Sequence, residues 1–431
     1  MTWGLLGPEK IESTRRTRTL GVAAAVLEFN DLAVPGLGGV WFGKQLVLAT
    51  LGVILAEQAV GKSISNITMA NAVEALACGL ALRKVKDGGN LQDPRLRGST
   101  KLRGKTDFSF KTVRRTGFYV TQPMRMATVQ SLPALGLVKF EATRFNAFSS
   151  TKQAEALVEA ALGGKLVSAL NQWVKGDKRA DGSELQKALS PLEPLKDAAP
   201  EILLSQLLQG SPQENLLSKT RRRAALAWVE SLRRGSAAYA SWNEKPPELD
   251  EAHWGDLQAG ALLFSTRDAA IRVLDALEAH IARQTVRKLC MAEPVSPHIA
   301  LQIDQLREQA SAYMARGHAQ KEAKKFCSEC LEANNARVLS KLVERDGRVV
   351  QVRNGYVVPG PAFTGQSKVV PNTGADIQTD TDVATAVSPP DYRWPEGISG
   401  RVKNLFMLNA DLRGDMSRWM KNQPAVQEDQ A

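Results

Sequence analysis

Four sets of residues in this chain have types and spacing that could do chemistry. Gly61-Lys62-Ser63 has the closing residues of a phosphate-binding loop. That loop needs a glycine five positions before Gly61, so that the backbone can turn and aim its N–H groups at phosphate. Position 56 is Ala56, inside what reads as a helix, so a helix end accounts for these residues better. Asp250-Glu251-Ala252-His253 spells the acidic box of a nucleic-acid-dependent ATPase, but no apolar strand leads into it. A capped helix start explains it equally. Cys327 and Cys330 have the spacing of zinc ligands, with no second pair at zinc-ribbon distance. Cys290, His298 or His318 would have to complete the site through tertiary folding. Lying three apart on a helix, between Phe326 and Leu331, the two thiols read more simply as small buried hydrophobes. The histidines are His253, His280, His298 and His318, and none is placed to form a nucleophile–base pair. The acids are scattered, without the compact pair plus lysine of a metal-dependent nuclease. The expectation is a protein without catalysis, metal or cofactor, and a nuclease assembled from distant residues is the enzymatic alternative.

The fourth set is basic. Between positions 83 and 125, twelve Lys and Arg stand against three Asp and Glu, a net of +9 in a chain whose total is +11. Residues 1–150 carry a net of +10 and residues 151–431 a net of +1. The stretch contains two near-copies of one phrase, Arg95-Leu96-Arg97-Gly98 and Lys101-Leu102-Arg103-Gly104. Charge segregated in this way points to an acidic partner, nucleic acid first. Arg95, Arg97, Lys101, Arg103, Lys105, Lys111, Arg114 and Arg115 are the expected phosphate contacts. If about six cations met phosphate, affinity would fall roughly 10³–10⁵-fold between 50 and 200 mM salt. The plain alternative is a mobile loop that is basic by drift. Arg221, Arg222 and Arg223, with Arg233 and Arg234, read as the solvated face of a helix, with a second phosphate contact as the alternative. Gly36-Leu37-Gly38-Gly39 follows no strand, which makes it a poor nucleotide fingerprint, and Trp41 and Phe42 after it read as core anchors.

The elements that must position this charge are mostly helical. Apolar spacing predicts helices over 19–29, 44–59 and 65–83, with a breaker-rich loop at 34–43. The basic loop at 86–113 follows, and Phe108, Phe110, Phe118 and Tyr119 return the chain to the core. Thr121 and Pro123 signal a helix start, with the helix running to Leu135 and ended by Gly136. Alternation over 137–141 and 144–148 predicts two short strands. Ser149, Ser150 or Thr151 then caps a helix over 152–162.

Helix, Leu135-Gly136-Leu137-Val138, short hairpin and Thr-capped helix together resemble the winged-helix-turn-helix family. The resemblance covers 114–162. It departs from the family where Thr151-Lys152-Gln153-Ala154 lacks the usual glycine, and the wing is brief. It implies a recognition helix carrying Arg125, Thr128 and Gln130, and a wing carrying Arg144 and Asn146, with any base reading falling to these residues.

Further on, 3–4 spacing predicts helices over 201–209, 213–234, 257–292 and 297–344, the last interrupted at Gly317-His318. Asn354-Gly355 between Val-rich runs predicts a hairpin with a type I′ turn. A tether precedes a terminal amphipathic helix over 401–421, whose Leu405, Leu408, Leu412, Met416 and Trp419 must dock on this chain or on a partner. The expected divisions are 1–85 helical layer, 86–113 basic flexible loop, 114–163 winged-helix-like unit, 164–345 helical domain, 346–358 hairpin, 359–398 linker and 399–421 docking helix. The fold class expected is mainly α, multidomain. Four cysteines make no disulfide scaffold. The longest apolar run, 46–56, is about half a bilayer span. With no signal-like start, a cytoplasmic protein that does not enter the membrane is expected. The function expected is a non-enzymatic DNA-binding subunit of a larger assembly, with RNA as a possible substitute and other protein subunits as partners. The alternative is a scaffold whose basic arm and winged helix contact proteins. Placing such a scaffold in a bacterial defence or mobile-element complex rests on no residue of the chain.

Overall fold

The Gly43–Gln58 and Asn66–Lys84 helices are apolar on almost every side, and every residue from position 43 to 55 is buried. A helix of that kind belongs at the centre of a core rather than on its surface. The two pack against each other where Gly52 meets Ala70; a Cβ at Gly52 would lie 2.5 Å from the Ala70 Cα. In the computed structural model the residues described are 18–59, 64–84, 93–176, 180, 182–235, 240–365 and 394–420. Gly61-Lys62-Ser63 and most of the expected 359–398 linker lie outside them. The protein is mainly helical, with a small three-stranded antiparallel sheet. No helix among the described residues is long and apolar enough to cross a membrane.

The chain divides into two compact units, each assembled from separate stretches of sequence. One unit comprises 29–257 and 379–431, and the other comprises 1–28 and 258–378. The division falls inside the Ala23–Ala33 and Glu251–Arg283 helices, where apolar periodicity runs on unbroken and gives no boundary signal.

In the 29–257/379–431 unit, the central pair is surrounded by the Lys152–Leu162, Gly164–Lys175, Ala199–Gln209, Leu216–Arg234 and Gly400–Leu412 helices. The terminal helix docks on its own unit. Leu405, Leu408, Leu412, Met416 and Trp419 are all buried, and Arg233 donates from Nε to Asn409 Oδ1 at 2.8 Å. The helix expected over 401–421 is broken in two at Gly414, whose φ of +77° favours glycine, so Met416–Met420 forms a separate turn.

The other unit holds the Pro297–Ala315, Lys321–Cys330 and Asn335–Asp346 helices. Its sheet has the order β1 (Leu289–Cys290), β3 (Tyr356–Pro359), β2 (Val350–Arg353). The hairpin turns through Asn354 and Gly355, both at positive φ (50° and 76°), as the sequence predicts. The helix expected over 257–292 ends earlier, at Arg283, and Leu289 and Cys290 join the hairpin as its third strand.

The segment expected to form a winged helix is built differently in detail. In place of one helix over 121–135 there is a 3₁₀ turn, Met124–Thr128, and a single helical turn, Ser131–Ala134. Its backbone groups have been recruited by tertiary partners. The Met124 and Arg125 N–H groups donate to Glu74, and the Ala127 carbonyl accepts from the Gly39 N–H at 3.1 Å. Pro133 has no N–H to offer a helix. The expected strands reduce to one bridge between Val138 and Ser150. Phe145 and Phe148 are both buried, three apart, on a 3₁₀ turn over Phe145–Ala147, which is the spacing of a turn and not of a strand. The Lys152–Leu162 helix is present, and the Thr151 hydroxyl accepts from the Ala154 N–H at 3.3 Å.

Candidate nucleic-acid interface

The basic stretch is not a free loop over the part described. Leu96, Leu102, Phe108, Phe110 and Val113 are buried, and each draws the chain between its cations back onto the core. The result is two single helical turns, Ser99–Leu102 and Phe110–Val113, with apolar side chains inward and charge outward. Gly79 on the Asn66–Lys84 helix makes the room, since a Cβ there would fall 1.9 Å from the Phe108 ring.

The expected site residues separate into two groups. Lys101, Arg103, Lys111, Arg114 and Arg115 are exposed and Lys105 is half-buried; none of the six forms an ion pair with a described residue. Ring contacts hold cations of the stretch in place, among them Lys105 over Phe118 at 4.4 Å, Arg114 over Phe110 at 5.7 Å, and Arg83 over Phe108 at 4.7 Å. Lys101 donates to the Tyr119 carbonyl at 3.1 Å. Held in this way, the charges lose less freedom on meeting phosphate than an unfolded arm would.

The second group serves the fold. Arg95 is half-buried in an ion pair with Asp93 at 2.7 Å and reaches the Leu192 carbonyl. Arg97 is half-buried beside Glu74 and Cys78. Arg125 donates to Asn71 Oδ1 at 2.6 Å and covers the Phe145 ring. Gln130 accepts from Arg401 at 2.7 Å. Asn146 accepts from the Ile67 N–H at 3.0 Å, capping the Asn66–Lys84 helix rather than tipping a wing. Thr128 is buried and donates to the Arg125 carbonyl. Arg144, just before the Phe145–Ala147 turn, is exposed. Of the residues expected to read bases, Arg144 alone is open to solvent without a hydrogen-bond or ion-pair partner among the described residues.

Beneath the basic surface lies a buried carboxylate that the sequence reading missed. Glu74 accepts from the Tyr119 hydroxyl at 2.8 Å, the Met124 N–H at 2.6 Å and the Arg125 N–H at 3.1 Å. Burial raises its pKa above the ordinary value, opposed by these donors and by Arg97. Its signal was an acid enclosed in the apolar run Ala72-Val73-Glu74-Ala75-Leu76. Asn66 works similarly, donating to the Phe145 and Phe148 carbonyls.

Beside the cations opens a cleft of 370 Å³ lined by Arg83, Thr106, Asp107, Phe108 and Ser109. Asp107 is exposed; the Thr112 hydroxyl and the Ser109 N–H (2.9 Å) donate to it and hold its carboxyl down at about 2.

The other candidate chemistries resolve into packing. Asp250 accepts from the His253 N–H at 2.7 Å at a helix start, and the buried His253 ring meets the Ala33 carbonyl at 2.9 Å. Cys327 and Cys330 are buried in the Lys321–Cys330 helix, and burial pushes the Cys327 thiol up to about 12. Among the described residues no three His, Cys, Asp or Glu side chains converge as a metal site. Gly36 and Gly38 let the 34–43 loop press on Ala134 and the Ala127 carbonyl. Arg221 and Arg222 are buried, not solvated, in pairs with Asp256 and Glu214. Comparison with protein families, curated proteins and solved structures found no match.

Proposed function

We propose that this protein binds the phosphate backbone of DNA, without catalysis, through the surface carried by residues 101–115. The observation that carries this reading is that Lys101, Arg103, Lys105, Lys111, Arg114 and Arg115 stand on folded chain with no ion-pair partner among the described residues. Backbone contact of this kind gives affinity and register rather than sequence choice. A winged-helix reading of 114–163 keeps the Thr151-capped helix in its favour, but DNA binding through 101–115 does not depend on it.

The test is binding of a random-sequence duplex over a salt titration. With six phosphate contacts the slope of log affinity against log salt is expected near −5, roughly 0.9 per contact. Changing the six cations to Ala should flatten the slope and abolish binding at low salt. No binding at about 50 mM salt, or an unchanged slope in the variant, removes the reading.

A second feature supports the subunit part of the proposal. Leu216 and Leu217 open the Leu216–Arg234 helix at 74% and 60% exposure. Neighbouring leucines left to solvent mark a protein contact. The competing reading, a scaffold whose basic surface meets an acidic protein, predicts that the six-cation variant loses a protein partner and leaves a duplex unaffected.

A further inference from the structure

Asp107 is out of place on a phosphate-binding surface. It is the only acid between positions 94 and 140, it is exposed, and it is ionised at neutral pH. A carboxylate repels phosphate. Its Oδ1 accepts from the Ser109 N–H and its Oδ2 from the Thr112 hydroxyl, and each oxygen keeps a further lone pair. Arg115 is the cation whose field reaches the carboxylate, and its remaining lone pairs can accept from a donor in the cleft whose wall Asp107 forms.

The same cleft has a flat wall. Arg83 is held over the Phe108 ring at 4.7 Å, and it donates to the Thr106 carbonyl. Its side chain is exposed, and no second ring covers the guanidinium among the described residues. A guanidinium plane fixed on one side is a stacking platform for a base on the other. At 370 Å³ the cleft lies near the small end of ligand sites, which run from roughly 300 to 1,000 Å³.

Resting on the DNA-binding reading above, we infer that this cleft takes one unpaired nucleobase bearing an exocyclic amino group, stacked on Arg83 and hydrogen-bonded to the Asp107 carboxylate. Carboxylates accept from the cytosine amino group, whereas uracil places a carbonyl oxygen at that position and is repelled. The base must be unpaired, because within a duplex its neighbours and its partner strand keep it from such a cleft.

Oligo(dC) and oligo(dU) of equal length isolate this contact, since the two bases differ only along the edge that would face Asp107. Fluorescence anisotropy of the full chain should show about a tenfold preference for oligo(dC), the size of one charge-assisted hydrogen bond. Asp107→Asn, which keeps one of the two acceptor oxygens of the turn, should bring the two strands to equal affinity and make duplex binding slightly tighter, because a charge that repels phosphate is removed. Equal affinities in the wild-type protein, or a preference that survives Asp107→Asn, overturn the inference while leaving the backbone-binding reading intact. Failure of single strands and duplex alike to bind at about 50 mM salt overturns both.

Discussion

Arg222 is fully buried, at 0% exposure, with Nη2 donating to Glu214 Oε2 at 2.6 Å and Nε to the Leu207 carbonyl at 2.9 Å. Removing one partner of a buried pair strands the other charge, so Arg222→Met should cost about 3–5 kcal/mol in urea unfolding. Changing Glu214 to Leu as well should recover most of that loss. The sequence could not show this pair. Glu214 precedes the helix that carries Arg222 and lies outside any 3–4 spacing, and a Cβ at Gly210 would fall 2.2 Å from the Glu214 carboxylate. His253 gives a second residue-scale prediction. Burial lowers its pKa below 6.5, outweighing the Ala33 carbonyl, with Arg221 adding to the effect and Asp250 and Asp256 opposing it. The folded state therefore resists the proton that the unfolded chain takes up, and stability is lost as pH falls through and below 6.5. Between neutral and mildly acid pH the melting temperature of the wild type should drop more steeply than that of His253→Gln.

Among the elements, the Asn66–Lys84 helix does most to shape the candidate interface. Gly79 accommodates Phe108, whose carbonyl accepts from the Trp173 indole at 2.9 Å. Gly79→Ala should therefore cost about 1–3 kcal/mol by overpacking. It should also speed hydrogen exchange across 101–115 more than across the Leu216–Arg234 helix. If exchange rose equally everywhere, Gly79 would be a general core position with no special hold on the basic surface. The helix itself was legible because its apolar residues outrun any single turn, and so was the terminal helix, whose five predicted face residues are all buried. The 121–148 segment was not. Its local signals are real, but Glu74 and Asn66, 50 and 82 residues before the groups they bind, capture backbone groups that a local helix or strand would have used. The same limit applied to the site. Counting charge located the cations, while packing decided that Lys101 to Arg115 face outward and that Arg95, Arg97 and Arg125 are held within the fold.

At the scale of the whole molecule, the two units carry their own thiol reporters. Cys78 is buried in one and Cys327 and Cys330 in the other, and Cys290 alone is partly exposed. Burial pushes Cys78, like Cys327, up to about 12. A thiol reagent should modify Cys290 in the native protein and reach the other three only on unfolding; rapid native labelling of Cys327 or Cys330 would contradict their burial. Each unit is also closed by chain drawn from far apart. Arg18 is buried against Asp275, Glu278 and Asp346, and the Ser399 hydroxyl meets Asn30 Oδ1 at 2.6 Å. On a ribosome adding roughly 5–20 residues per second, Arg18 would wait on the order of 15–65 s for Asp346 to be made. The core of the other unit stays open until Leu405 and Phe406 leave the exit tunnel. Both cores therefore stay unsealed while most of the chain is made, and the yield in a cell should depend on whatever shields them meanwhile.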